Sequence, residues 1–317
     1  MRISTSWSHQ LAVNAMLDQQ SKVSQTQLKL STGKSILTPS EDPAASVRLL
    51  DLDQETKQTE QYQNNIVMAR QRLGLEETNI QSVVDTLARI KELTVQGLND
   101  SNLQSDRVAI AKEIDELNLH LLGIANTQNA NGEYIFAGYK TDVQPYTQGQ
   151  AFASALFPDT PVYSYPYSGD QQQRNLQIGP ARFVADGNYG EQVFGSSQVL
   201  PGATPTAETP ANLFELVSKL SASLKDNAPQ DVSLTELDVA LDRVLAVETT
   251  IGARMNALDR QESINDDYIL DMNSAASDLG DLDYAEAISK FNIQNTVLQA
   301  AQQAFSRVQN LSLFNYL

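Results

Sequence analysis

DYAEAISKFNIQNTVLQAAQQAFSRVQNLSLFNYL, residues 283–317, is the stretch from which the rest of the chain is read. Ile288, Phe291, Leu298, Ala301, Phe305 and Val308 recur at the spacings of one helix face, and the positions that complete the stripe are the amides Asn295, Gln302 and Gln309. The first thirty residues repeat the pattern. Val13, Met16, Gln20, Val23, Gln27 and Leu30 alternate spacings of three and four, a heptad seam diluted with amides. Polar layers lower the stability of a helical seam while fixing its register and partner number. Two such ends suit regulated assembly better than the core of a permanent monomer.

Working inward from the C-terminal stretch, Asp283 and Glu286 have the spacing of a helix start, and Ser233 with Glu236 reads as a capping box. Behind that box Leu237, Leu241, Val244, Glu248, Ile251, Met255, Leu258, Glu262, Asn265, Ile269, Met272 and Ala276 keep heptad spacing in one long helix. From the other end, Gly33 stops the first helix, and Asp42 followed by Pro43 starts the next. Leu49, Leu52, Thr56, Thr59, Gln63, Ile66, Arg70, Leu73, Glu77, Ile80, Val84 and Leu87 then predict a helix reaching about Leu98, roughly 80 Å long at 1.5 Å per residue. After a loop at 97–106, Arg107, Ile110, Ile114, Leu117, Leu121 and Ile124 predict an antiparallel return helix.

Between Gly132 and Pro210 the composition changes. Eight of the eleven prolines, nine of the fifteen glycines and seven of the eleven tyrosines lie there, around the short runs Tyr134–Phe136, Val162–Tyr165 and Arg182–Val184. That mixture predicts a small β domain. Thr209-Pro210 restarts helix, with Leu213, Leu216, Leu220 and Leu224 on one face before Asn227 and Pro229. The expected fold class is α+β: an elongated antiparallel helical bundle or coiled-coil rod made from both chain ends, carrying one small inserted β domain. Its expected parts are a terminal assembly domain (1–38 with 282–317), a long-helix rod domain (39–132 with 210–281) and the insert (133–209).

With 317 residues, 41% of them hydrophobic, the chain can bury real cores. Its 22 Lys and Arg against 39 Asp and Glu leave a net charge of -17, which argues against phosphate backbones and anionic lipid surfaces as partners. No run of eighteen apolar residues occurs, and MRISTSWSHQLAVNAML lacks the regions of a cleaved signal peptide. The protein is therefore expected to stay inside or to leave by another route. The absence of cysteine removes thiol chemistry and is compatible with crossing redox compartments unfolded.

No catalytic, metal or cofactor site emerges. Thr32-Gly-Lys-Ser35 imitates the tail of a phosphate-binding loop, but Leu28 stands where the motif needs glycine, and a helix precedes it instead of a strand, so a helix C-cap is the better account. His9 and His120 are the only histidines, too few for a metal cluster or a plausible Ser/His/Asp set. Asp278, Asp281 and Asp283 lack the spacing of a calcium loop. Asp159, Asp170, Asp186 and Glu191 could include a carboxylate pair for glycoside hydrolysis, and Tyr163, Tyr165 and Tyr167 could form a sugar platform. Turn carboxylates and sheet packing explain both more simply.

Four separated segments carry a resemblance. They are Leu30-Ser-Thr-Gly-Lys-Ser-Ile-Leu-Thr-Pro-Ser-Glu-Asp-Pro-Ala44, Ile124-Ala-Asn-Thr-Gln-Asn-Ala-Asn-Gly-Glu-Tyr-Ile-Phe-Ala-Gly138, Ile251-Gly-Ala-Arg-Met-Asn256 and Leu311-Ser-Leu-Phe-Asn-Tyr-Leu317. In this order they resemble the flagellin superfamily across the chain except much of the insert. The start Met1–Thr5, the ending Ser312–Tyr316 and the small single insert look more like its hook-filament junction branch than like filament flagellin. The resemblance implies an extracellular structural protein of the bacterial flagellum and no enzyme. It implies a ring of copies joining the hook, through hook-associated protein 1, to the flagellin filament. It also implies export unfolded through the flagellar type III export apparatus, after holding by an export chaperone.

On this basis the terminal helices are expected to fold as they assemble. The expected interface is Trp7, Leu11, Val13, Met16, Val23, Leu28, Phe291, Leu298, Phe305, Val308, Leu313 and Phe314. The alternatives are a filament flagellin, a glycan-binding or hydrolytic β module on a fibrous rod, and an intracellular coiled-coil scaffold.

Overall fold

Gly33 ends the first helix by taking φ +71°, a left-handed conformation that side chains other than glycine's resist, while its N–H closes on the Lys29 carbonyl at 2.9 Å. A Cβ there would also meet the Tyr284 hydroxyl at 2.9 Å. The chain turns at this point, and Asp42 starts the next helix by accepting the Ala45 N–H at 3.0 Å.

The structure, a computed structural model, describes residues 2–152, 157–195, 212–230 and 232–314. In chain order the elements are α1 (Arg2–Thr32), α2 (Pro43–Gly97), α3 (Gln104–Ala125), β1 (Ala151–Phe152), β2 (Val162–Tyr163), β3 (Asn175–Gly179), β4 (Arg182–Ala185), α4 (Gly190–Phe194), α5 (Leu213–Lys225), α6 (Val232–Gly280) and α7 (Tyr284–Phe314). The α+β class expected above, with helices from both ends and an antiparallel insert, is observed. The residues gather into two units, 1–60 with 266–317 and 61–265, so that α2 and α6 each run through both.

In the first unit α1 and α7 pair antiparallel. The connection is pinned by a two-residue ladder between Lys34 and Asp281, in which Ser35 N–H donates to the Gly280 carbonyl (2.8 Å) and Leu282 N–H to the Gly33 carbonyl (2.9 Å). Asp283 caps α7 by accepting the Ala285 and Glu286 N–H groups at 2.8 and 3.1 Å. Among the described side chains, this unit buries only Thr26, Leu52, Thr59 and Ala287.

The second unit is different in kind. Its core is continuous from Ile66, Leu73, Ile80, Leu87 and Ile90 of α2, through Ile110, Ile114 and Leu121 of α3, to Leu237, Val244, Ile251 and Leu258 of α6. The insert contributes to this same core with Phe136, Tyr146, Tyr165, Ile178 and Phe194. Two separate antiparallel pairs, β1–β2 and β3–β4, make up its strands, with a bulge between Gln177 and Gly179. The run Tyr134–Phe136 forms only a bridge, Gln128 to Tyr134, instead of the expected strand.

Helix α5 is buried along its length, from Leu213 to Leu224. Its start is capped by Asn212, whose side chain accepts the Glu215 N–H (3.0 Å) and donates to the Tyr165 carbonyl (2.8 Å). Buried polar groups must find partners. Accordingly the Ser221 hydroxyl contacts the Ala111 carbonyl and the Asp115 carboxylate on α3, Lys225 pairs with Asp115 at 2.5 Å, and Lys219 reaches Glu236 on α6 at 3.4 Å.

Two expectations need correction. The buried layers of α2 are Ile66, Ala69, Leu73, Glu76, Ile80, Val83, Leu87 and Ile90, so every second layer lies one residue earlier than the predicted Arg70, Glu77 and Val84. The same offset holds on α6, where Ala240, Val247 and Gln261 are buried in place of Leu241, Glu248 and Glu262. Arg70 and Glu262, displaced to the margin of the seam, pair with each other at 2.5 Å. Ser233 does not precede α6 but sits in its first turn, because the helix already begins at Val232.

Candidate assembly surface

The pairing of α1 with α7 is held by few contacts. The His9 ring stands edge-on to Phe305, centroids 5.6 Å apart, and the Gln19 side chain donates to the Gln294 carbonyl at 3.1 Å. The Thr26 hydroxyl donates to the Gln294 side-chain oxygen at 2.8 Å. Gln294 is thus the amide that bridges the two helices. The sequence pattern pointed to its neighbour Asn295, which is half-buried, and to Gln302, which is exposed; Gln309 lies outside the described side chains.

The expected interface residues divide into two groups. Val13, Met16 and Val23 on α1 and Phe291, Leu298 and Phe305 on α7 are half-buried, at the spacings of a seam. Trp7, Leu11 and Leu28 face solvent, at 69%, 58% and 53% exposure. The side chains of Val308, Leu313 and Phe314 lie outside the described residues. The pattern missed five further exposed apolar residues on the pair: Leu17, Tyr284, Ile288, Ile293 and Val297. Ile288 belongs to the predicted inner stripe and Tyr284 continues it one turn earlier, whereas Leu17, Ile293 and Val297 fall between the heptad positions.

A groove of about 490 Å³ opens along the pair, lined by His9, Ala12, Ala15, Met16, Gln19, Val297, Ala301, Ala304 and Phe305. Four alanines keep its walls low, so that another helix could approach its floor closely. Its chemistry is apolar contact, with His9 and Gln19 as polar markers.

Elsewhere the candidate chemical groups have structural employment. Tyr165 is buried, and Tyr163 and Tyr167 pack against the core, so the three do not form an open platform. Asp186 pairs with Arg72 (3.0 Å) and Arg174 (2.5 Å). Asp170 accepts the Tyr139 and Gln172 N–H groups in a turn, and the Gln171 amide donates to Glu191 at 2.5 Å. Asp281 accepts from the Ser277 hydroxyl at 2.5 Å, and no group of three or more metal-ligating side chains occurs among the described residues.

One buried acid was not foreseen. Glu76, on the inner face of α2, is 2% exposed and accepts the Asn188 side-chain N–H at 2.8 Å and its backbone N–H at 3.2 Å. Burial pushes its carboxyl up to about 7, against the pull of the Asn188 hydrogen bonds and of the Arg254 charge, with Asp186 adding to the rise.

Comparison with known proteins places this geometry in context. Residues 3–141 match the bacterial flagellin N-terminal helical region and residues 234–317 the bacterial flagellin C-terminal helical region. The chain is 30% identical to flagellar hook-associated protein 3 of Escherichia coli K12, over 99% of both chains. It is 28% identical to flagellar hook-associated protein 3 of Salmonella typhimurium LT2, again over 99% of both. Among solved structures it resembles a flagellar hook-associated protein from Vibrio parahaemolyticus, with a TM-score of 0.63 and 24% identity over 76% of this chain and all of that one. It also resembles flagellar hook-associated protein 3 from Legionella pneumophila, with a TM-score of 0.58 and 22% identity over 72% of this chain and 98% of that one. At these identities the structural likeness speaks for the fold alone.

Proposed function

The chain belongs to the bacterial flagellin family, and from that premise we propose that it is the structural subunit of the junction between flagellar hook and filament. The observation that carries this reading is the full-length similarity to hook-associated protein 3, whose described role lies in the flagellum. Its partners are then further copies of itself in a ring, hook-associated protein 1 on one side and flagellin on the other. Before assembly it is held by an export chaperone and passed unfolded through the type III export apparatus to the outside of the cell. Residues 1–38 and 282–317 carry assembly, 39–132 with 210–281 carry the long helices, and 133–209 form the insert.

The physical mechanism is folding coupled to assembly. Two helices of 31 residues each meet with only Thr26 and Ala287 buried among their described side chains, while Trp7, Leu11, Leu17, Leu28, Ile288, Ile293 and Val297 remain exposed. Each of these apolar side chains contributes about 1.5–3 kcal/mol when a neighbour covers it fully. An isolated helix pair with so small a core is marginal in water, so the neighbours supply what the single copy lacks.

Two experiments test the two halves of this reading. Mass spectrometry of flagella sheared from cells is expected to find the protein in small amount beside flagellin; its absence there refutes the junction role, and growth of long filaments from the purified chain alone makes it a filament subunit. Amide hydrogen exchange on the purified monomer is expected to show weak protection for residues 5–30 and 288–312 and strong protection for the core stretches of α2, α3 and α6. Equal protection throughout would refute coupled folding and leave the junction role standing.

A further inference from the structure

Glu76 and the segment it holds are not used by the assembly described above. The segment, residues 186–189, leaves β4 and leads into α4. Within the insert the Gln173 amide donates to the Asn188 side-chain oxygen at 2.9 Å, and the long helices bind the segment from two sides. On α2, Glu76 accepts both N–H groups of Asn188, with backbone N–H distances of 3.2 Å to each carboxylate oxygen. On α6, the Arg254 guanidinium donates to the Asn188 side-chain oxygen at 3.2 Å and toward the Gly187 carbonyl at 3.5 Å.

The charges around Glu76 are unequally served. Arg72, one turn earlier on α2, is taken up by Glu133 (2.7 Å) and Asp186 (3.0 Å), and Arg174 by Asp186 (2.5 Å). Among the described residues Arg254 is the remaining cation facing Glu76, and it is engaged with the segment instead of forming an ion pair with the carboxylate. Among those residues no cation touches the carboxylate, so its burial makes ionisation costly and outweighs the N–H bonds that favour the charged form. A cavity of about 150 Å³ borders it, lined also by Arg72, Glu133, Arg174 and Asp186 and reaching exposed Tyr139 and Gln172, which gives protons a route from solvent.

We infer that Glu76 is a proton-operated latch: neutral, it fastens residues 187–189 across α2 and α6; ionised, it lets that stretch open toward the cavity. The sign follows from linkage. The carboxyl protonates at about 7 in the closed state and at the ordinary value of 4.5 once solvated. The closed state is thus favoured in full below about pH 4.5, and that advantage drains away as pH rises through about 7. Asp186 shifts in the same direction, since burial raises it against the pull of Arg174, but its ion pairs with Arg72 and Arg174 keep it in place, outside the stretch that opens.

The test is exchange of the Asn188 backbone amide in the full chain, corrected for the chemical exchange rate, at about pH 5.5 and about pH 8. In the native protein, opening of this amide is expected to rise on the order of thirtyfold between the two conditions. In Glu76→Gln, which keeps an acceptor for Asn188 and cannot ionise, the rise is expected to vanish. A native protein without the rise, or a Glu76→Gln protein with the full rise, overturns the latch. Should Glu76→Gln fail to fold, carbon-13 NMR of glutamate carboxyls in the native chain decides instead: a Glu76 midpoint near 7 supports the latch, and a midpoint below about 5 overturns it.

Discussion

Phe305→Asp is expected to leave the second unit folded and to abolish incorporation into the hook-filament junction. Phe305 lies half-buried on α7, its ring met edge-on by His9, at the centre of a groove whose other walls are Ala12, Ala15, Met16, Ala301 and Ala304. An aspartate there removes the largest apolar surface of the groove. It also places a carboxylate among groove-lining side chains that include no lysine or arginine. Covering that charge with a neighbouring subunit costs several kcal/mol, more than the gain from burying any one exposed leucine of the pair. Two measurements check the outcome: circular dichroism of the purified variant, expected to retain the unfolding transition of the second unit, and attachment of filaments to hooks in cells carrying only the variant. Normal filaments on the variant would show that the groove is not an assembly surface. The loss of the whole transition would show instead that the substitution acts on folding.

The largest expected effect on stability is at Phe214. This side chain is fully buried on α5 and meets three aromatic rings, Tyr146 at 4.8 Å, Phe194 at 5.3 Å and Tyr165 at 5.6 Å between centroids. Truncation to alanine removes a ring from a site closed on all sides, where partial collapse is hindered by the hydrogen bond from Asn118 to the Phe214 carbonyl (3.2 Å) and by the Asn212 cap. The expected cost is about 3–5 kcal/mol, read as a fall in the denaturant midpoint at unchanged slope. Leu103→Ala, at a side chain 69% exposed, serves as the control and is expected to change stability by less than about 0.5 kcal/mol. A Phe214→Ala cost no greater than the control's would mean that α5 is not the centre of the core.

How far the fold can be read from the sequence depends on which physical signal is used. Three of the caps and stops are legible because their chemistry is local: Gly33, Asp42 and Asp283 do what their residue types do anywhere, whereas Ser233 lies inside the first turn of α6. The long helices were legible from period alone, and α2 begins and ends within a residue or so of where Pro43 and Leu98 place it. The phase of their seam was not. Leu73, Ile80 and Leu87 are shared by a seam that steps four then three and one that steps three then four, and only the layers between distinguish them. The apolar residues Ala69, Val83 and Ile90 favoured the second choice, whereas Arg70, Glu77 and Val84 supported the first in only one layer of three. Within the pair Glu76-Glu77 hydropathy carries no preference at all, so the buried acid could be found only through that phase.

The insert was legible as an insert and illegible inside. Its strands are two to five residues long and lean on distant helices, β3 on α2 through the Asn65 side chain donating to the Gln177 carbonyl (2.7 Å) and β2 on α5 through the Tyr163 N–H donating to the Ser218 hydroxyl (3.2 Å), contacts that no local pattern encodes. The burial of α5 on every face was likewise hidden, since its leucines announce one apolar side while Ser218, Ser221 and Lys219 look like the wet one. Of the candidate assembly surface, the sequence pointed to the two helices and to Trp7, Leu11 and Leu28 among the eight exposed apolar side chains of the pair. The rest depends on which side of α1 turns toward α7.

The ladder between Lys34 and Asp281, and the contacts of Thr26 and Gln19 with Gln294, join stretches separated by nearly the whole polypeptide. No contiguous piece that lacks either end of the chain contains both helices of that pair. A molecule truncated before residue 284 therefore has no groove to offer, whatever the state of its middle. On the proposed coupling of folding to assembly, completeness itself becomes the admission criterion: α7 is half of the candidate surface, so chains ended before it would be kept out of the growing structure without any dedicated inspection step.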